Sequence, residues 1–223
     1  MDKVIYIIGT SQDILTLDRD FFKDKISIGI NSAYKVARGL LTYWMAADRY
    51  FKFHEFVAHN EAPLTKKFVW VDYAADDRLN VFRGTGHTDP IHRAQVKDWL
   101  IYFYSCKTPT PQTLSPTVTF DKEKLSVLDN YVYTLPICIG LAVGLGATEI
   151  RLRGVSFGNG GHFDDDDPKS CHEAWDNNYE PQVLIFKKDI LPALQKLNIP
   201  IINETLDPRY YFTKDWKLTI NKP

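Results

Sequence analysis

Five consecutive apolar residues, Val4 to Ile8, end abruptly at Gly9, and this is the feature that most narrows what the chain can fold into. An alternating strand covers one face of a sheet. An unbroken apolar run of this length suits a strand buried on both faces, as in a parallel sheet layered between helices. The same grammar recurs along the chain. Ile26 to Ile30 runs into Asn31, Leu41 to Ala46 into Asp48, and Glu149 to Arg153 into Gly154; Phe68 to Val71 is a short fourth apolar segment, and Ile199 to Ile202 comes last. Helical stretches alternate with these strands. Asp13 to Asp18 reads as a helix start, Tyr133 to Leu145 as an apolar helix stopped by Gly146, and Val183 to Leu197 as a further helix. Strand and helix in alternation define the expected class: a single α/β domain over residues 1–223, a Rossmann-like and mostly parallel sheet with helices on both faces. Between about residues 72 and 119 the pattern loosens into scattered aromatics, prolines and the Gly84-Thr85-Gly86-His87 turn. This is expected to be a central insertion, a lid or a homo-oligomer contact, with a short strand over 99–104.

Composition excludes several partners. With 27 Lys and Arg against 28 Asp and Glu, no net field draws the chain to a nucleic-acid backbone or an anionic membrane. No apolar run approaches the roughly 20 residues that span a bilayer, and no basic-then-apolar leader precedes Val4, so a cytoplasmic protein is expected. Three cysteines, Cys106, Cys138 and Cys171, in no CxxC spacing read as reduced structural thiols.

In parallel α/β sheets ligands bind beyond the carboxyl ends of the strands. Four such ends carry small or polar residues: Gly9-Thr10-Ser11, Asn31-Ser32, Asp48 and Gly154 to Ser156. Gly9 permits close backbone approach, and the Thr10 and Ser11 amides at a helix start suit phosphate oxygens. Asn31 both donates and accepts, which suits a base edge or a ribose hydroxyl. The turn lacks the second and third glycines of G-x-G-x-x-G, and no G-x-x-x-x-G-K-[ST] occurs. A nicotinamide dehydrogenase and a P-loop kinase are therefore not expected.

The order of Gly9-Thr-Ser-Gln-Asp-Ile14, Ile28-Gly-Ile-Asn31, Ala47-Asp48 and Gly144-Leu-Gly-Ala-Thr-Glu-Ile-Arg-Leu-Arg-Gly-Val-Ser-Phe157 resembles a superfamily with two named branches. One is the MptE-like 6-hydroxymethylpterin pyrophosphokinases; the other is the bacterial lipooligosaccharide sialyltransferases that use CMP-sialic acid. Small phage relatives are the nearest in character. The resemblance covers the two ends of the chain and implies that Gly9, Thr10 and Ser11 form a nucleotide-cradling turn. It further implies that Asn31 contacts cytidine or ribose and that Thr134, near the family's Ser-Gly helix start, contacts phosphate. The chain departs from the sialyltransferase pattern after the last motif. Gly158 and His162 or Phe163 stand where two tyrosines assist nucleotide departure, Tyr131 where an arginine precedes the helix, and Ser156 where the motif has Asp.

The loop after Phe157 carries the densest chemistry: His162, the run Asp164 to Asp167, and Cys171-His172-Glu173. His162 and His172 fall in the window of the family's general base, and an imidazole near pKa 6.5 suits that work. Asp164 and Asp166 offer hard oxygen ligands to Mg²⁺ or Mn²⁺, while Asp48 is the carboxylate best placed by its strand end. The expected function is a nucleotide-dependent transferase that takes a nucleotide-activated sugar as substrate and passes it to an acceptor hydroxyl. A Mg²⁺-dependent pyrophosphokinase of the pterin type, and a non-catalytic phage accessory protein that binds a nucleotide or a partner, are the alternatives.

Overall fold

The computed structural model describes residues 2–37, 39–45, 66–67, 134–157, 182–206 and 208–220. The segments expected as the 72–119 insertion, the strands at 68–71 and 99–104, and the loop from Gly158 to Glu180 lie outside them, as do Cys106 and Cys171. A six-stranded sheet organises the rest. Its strands are β1 (Val4–Ile8), β2 (Ile26–Ile30), β3 (Tyr43–Met45), β4 (Lys66–Lys67), β5 (Glu149–Arg153) and β6 (Ile201–Asn203), in the order β4-β3-β2-β1-β5-β6. Every neighbouring pair is parallel. A separate antiparallel hairpin joins β7 (Tyr210–Phe212) and β8 (Leu218–Ile220).

The apolar runs form these strands because both sheet faces are covered. Ile5, Ile7, Ile28, Ile30, Ile150, Leu152 and Ile201 enter one core with helix α3 (Thr134–Gly144) and the helical residues 182–196. Ile8, Ile14, Phe22, Ala37, Leu41 and Trp44 enter the other, beneath a 3-10 turn (Gln12–Thr16), α1 (Arg19–Phe22) and α2 (Tyr34–Ala37). Connections on the β1-to-β3 side thus cover one face and those flanking β5 the other. The α/β class with helices on both faces is the observed architecture. At roughly 1.5–3 kcal/mol for each fully buried large aliphatic or aromatic side chain, the two cores supply the main force for folding.

Helix α3 is buried from Thr134 to Val143, as expected of a helix that is apolar all round. It ends as the sequence indicates. Gly146 takes φ +84°, its amide donates to Val143 O, and the Ala147 amide donates to Ala142 O, which together form a Schellman cap. Lys3 Nζ adds a bond to Leu145 O at 2.6 Å. Asn198, at φ +53°, closes the later helix α4 (Leu191–Lys196) with the same pair of bonds. Ahead of α4 the chain makes a π turn at Phe186–Ile190. Pro192, in the first turn of α4, has no amide to give the carbonyl of Lys188, and the widened turn accommodates that missing bond. Within α3, burial pushes the Cys138 thiol far above its ordinary range, so this cysteine is a packing residue and not a nucleophile.

Strand β5 departs from the doubly buried pattern. Ile150 and Leu152 are buried, while Glu149, Arg151 and Arg153 are only partly covered on the opposite face. An ionic chain lies there: Arg151 Nε donates to Glu149 Oε1 at 2.5 Å, and Arg151 Nη1 to Glu204 Oε1 at 2.7 Å. Arg153 Nη1 bonds Glu204 O at 2.8 Å. The hydrogen bond to Glu149 and the charge of Glu204 raise the Arg151 pKa against an opposing desolvation. The start of the first helical connection also differs from expectation. Residues 12–16 form a 3-10 turn and a regular helix begins only at Arg19, where the Asp18 side chain accepts the Phe21 amide.

Two glycines of the sheet respond differently to an added methyl. At Gly29 the new carbon would lie 2.3 Å from Leu41 Cδ1, the end of a flexible side chain; at Gly9 it would lie 2.1 Å from the carbonyl oxygen of Gly154. In urea unfolding, Gly29→Ala combined with Leu41→Ala is expected to cost at least about 1 kcal/mol less than the sum of the single changes. Gly9→Ala is expected to cost roughly 3 kcal/mol or more and to gain nothing from Val155→Ala, because the obstructing atom is backbone. Asp189, in the π turn, has its pKa raised by desolvation, opposed by Lys188. A carboxyl raised on folding stabilises fully below its unfolded value near 3.9 and loses that contribution as pH rises through the folded value. Asp189→Asn is therefore expected to melt above the wild type at pH 7, with the advantage shrinking as pH falls through the folded value and gone below about pH 4.

Candidate functional site at the switch point of the sheet

The order β4-β3-β2-β1-β5-β6 reverses direction between β1 and β5. In open parallel sheets this reversal is where a crevice forms beyond the carboxyl ends of the strands. The two strands that flank it are bound together past their regular ends. The Gly9 amide donates to Arg153 O at 2.7 Å and the Ser11 amide to Gly154 O at 3.0 Å, so the β1–β5 ladder runs on into the turn. Gly9 and Gly154 lie back to back: a carbon added to Gly154 would be 3.1 Å from Gly9 C and 2.2 Å from Ile14 Cγ2. Gly154 also holds φ +69°, a conformation open to glycine at little cost.

All eight residues expected to contact a nucleotide fall at this edge. Gly9, Thr10 and Ser11 follow β1, Asn31 and Ser32 follow β2, and Gly154 and Ser156 follow β5. Thr134 opens α3, and because that helix returns the chain to the start of β5, its first residue lies at the carboxyl edge. Eight polar side chains are buried among the described residues: Thr10, Ser11, Ser27, Ser32, Thr134, Ser156, Asn203 and Thr205. All but Ser27 lie at this edge. Buried hydroxyls and amides are held only where hydrogen bonds repay their desolvation, so their concentration at one end of the sheet sets it apart from the rest of the core.

Each strand end is shaped by a specific bond. Asn31 adopts φ +46°, a left-handed conformation that asparagine tolerates better than most residues, and its carbonyl accepts Trp44 Nε1 at 2.6 Å. That bond satisfies the indole of a fully buried tryptophan and fixes the end of β2 against β3. The Ser11 amide is committed to Gly154, and the Ser11 hydroxyl donates to Asp13 Oδ1 at 2.5 Å. The arrangement differs from a phosphate cradle, in which that amide would point outward. Gly9 serves the approach of two strands.

Two residues that sequence reasoning passed over hold the β5 end in place. Asn203 Nδ2 donates to Val155 O and to Tyr210 O, both at 3.0 Å, and its Oδ1 accepts the Thr205 amide at 3.1 Å. Thr205 Oγ1 accepts the Val155 amide at 2.8 Å. The Arg209 amide donates to Ser156 O at 2.9 Å, bringing a cationic residue beside the edge. The available signal was weak: a polar pair, Asn203 and Thr205, directly after an apolar strand. Phe157 ends the described segment at φ +55°, buried, with edge-to-face contacts to Phe186, Tyr210 and Phe212.

His162, His172, Asp48, Asp164 and Asp166 lie outside the described residues. Among the described residues no three His, Cys, Asp or Glu side chains come together that could hold a metal ion. No described helix is long and apolar enough to cross a membrane. Comparison of the chain with protein-family models, with curated proteins and with solved structures finds no match.

The Val155 amide is buried and depends on one hydroxyl. Thr205→Val is expected to lower the unfolding free energy by about 1–3 kcal/mol, the cost of a buried donor without its acceptor, whereas Thr205→Ser retains most of the wild-type value. A larger loss for Thr205→Ser than for Thr205→Val in urea unfolding would show that packing of the methyl matters and the bond does not.

Proposed function

We propose that the protein is a nucleotide-dependent transferase of the glycosyltransferase type, which binds the nucleotide of an activated sugar at the carboxyl edge of the sheet and passes the sugar to an acceptor hydroxyl. The observation that carries this reading is the gathering of Thr10, Ser11, Ser32, Thr134 and Ser156, all buried and polar, around the reversal between β1 and β5. A core edge built for stability alone would be filled with apolar groups, which need no partners. The small residues Gly9 and Gly154 keep the backbone low there, and Asn31 brings an amide side chain to the neighbouring strand end.

Sequence separation from the β5 end favours His162 over His172 as the base that takes the acceptor proton. His162 stands five residues beyond Phe157 at the β5 end, and His172 fifteen. In this scheme His162 removes the hydroxyl proton as the oxygen attacks the sugar carbon, and the nucleotide leaves with the bonding electrons.

Thermal melting against CMP-, UDP- and GDP-sugars tests the reading. One of them at 100 times its Kd is expected to add about 2.7 kcal/mol to the unfolding free energy. His162→Ala is then expected to retain that stabilisation and lose about 10²–10⁴-fold in transfer rate. Unchanged melting with every nucleotide sugar would sink the proposal, and stabilisation by ATP that disappears with EDTA would replace it with diphosphate transfer.

A further inference from the structure

Asp13 stands two residues beyond Ser11, and both of its carboxylate oxygens are held by groups at the edge. Oδ1 accepts the Ser11 hydroxyl at 2.5 Å and Oδ2 accepts the Leu206 amide at 3.1 Å. A serine hydroxyl carries one proton and two lone pairs. With its proton turned to Asp13, the Ser11 oxygen meets a ligand as an acceptor. The Ser11 amide is committed to Gly154 O and the Gly9 amide to Arg153 O, so neither reaches outward. The helical element that follows is a single 3-10 turn of five residues, too short to sum a useful dipole. What Ser11 and Asp13 offer is an acceptor oxygen and a negative charge.

We propose that Asp13 sets the polarity of the β1 turn, so that a nucleotide bound at this edge presents a neutral hydrogen-bond donor to Ser11, a ribose hydroxyl or a base amine, and carries its phosphates away from it. The inference rests on the nucleotide reading above and specifies which end of the ligand meets β1. Charge decides between the two orientations. A phosphate charge 4 Å from Asp13 weakens binding by about five-fold under the screening of bulk water, and by about a thousand-fold at the effective dielectric of a protein surface. A donor in the same place gains a hydrogen bond to an oxygen made more electron-rich by the carboxylate behind it. Asp13 acts through Ser11 and is a positioning residue. The Leu206 amide fixes its rotamer from the β6 side, so the polarity of the turn depends on both flanks of the switch point.

Calorimetric titration of the full chain separates the possibilities. The probes are the four ribonucleosides, their 5′-monophosphates, and analogues of whichever binds that lack the 2′-hydroxyl, the 3′-hydroxyl or the exocyclic amine. Ser11→Ala and Asp13→Asn are each expected to weaken the nucleoside and its monophosphate by the same factor, about 5–30-fold. One of the three analogues is expected to bind wild type that much more weakly than its parent, and to bind Ser11→Ala as well as its parent does. If Asp13→Asn tightens the monophosphate relative to the nucleoside, phosphate faces the turn and the proposal is overturned. Wild-type affinity in both variants overturns the Asp13 assignment and leaves the nucleotide reading standing. Failure of every nucleoside and monophosphate to bind wild type overturns both. Should Asp13→Asn not fold, the Ser11→Ala cycle with the analogues decides alone.

Discussion

Two strands that have finished their regular ladder continue to hold each other through backbone alone, and the whole carboxyl edge depends on that contact. Gly9 and Gly154 approach so closely that neither can carry a side chain, and the Gly9 and Ser11 amides complete the pairing. The sheet reverses direction between these strands, so the contact sets how far the two halves open at the point where a ligand would enter. A side chain at either position would pry the strands apart and shift every residue beyond them. Asn203 and Thr205 then secure the β5 end from the far side, with three hydrogen bonds to one side-chain amide. Such an edge is preorganised: its polar groups are oriented by bonds to one another before any ligand arrives.

Much of this architecture could be read in the chain before folding was considered. The segments Val4–Ile8, Ile26–Ile30 and Glu149–Arg153 match observed strands residue for residue: the first two are largely apolar because both sheet faces are covered, and the third alternates because only Ile150 and Leu152 enter the core. Gly146 marked a helix end for a comparably strict reason, the positive φ of a Schellman cap. Other elements gave no such signal. β4 is a pair of lysines at Lys66–Lys67, which no hydrophobic pattern marks, and β3 is three residues cut from a longer apolar run. The turn after β1 reads as a helix start because Asp13 stands where an acidic residue favours the first turn; its carboxylate is instead engaged by Ser11 and Leu206. A contact 193 positions away in sequence leaves no local trace.

The candidate site follows the same division. Its location was legible, since small and polar residues ending successive apolar runs converge wherever the strands are parallel neighbours. The use made of each group was not legible. Gly9 reads equally well as room for a ligand or room for another strand, and Ser11 as a phosphate donor or as the partner of a nearby acid; only the bonds formed across β1, β5 and the β6 end distinguish them. Asn203 and Thr205 follow a short apolar run, where polar residues read equally well as the start of a turn.

Phe157 takes a left-handed backbone conformation that a bulky residue adopts only when its surroundings compel it, and three aromatic rings supply that compulsion. Its ring works as a mechanical anchor at the point where the chain departs from the sheet. Strain transmitted back along the chain from residue 158 onward must dislodge a buried aromatic cluster before it can disturb β5. Because those rings come from the π turn and the hairpin, far later in the chain, the β5 end can shift only if both of these elements shift with it.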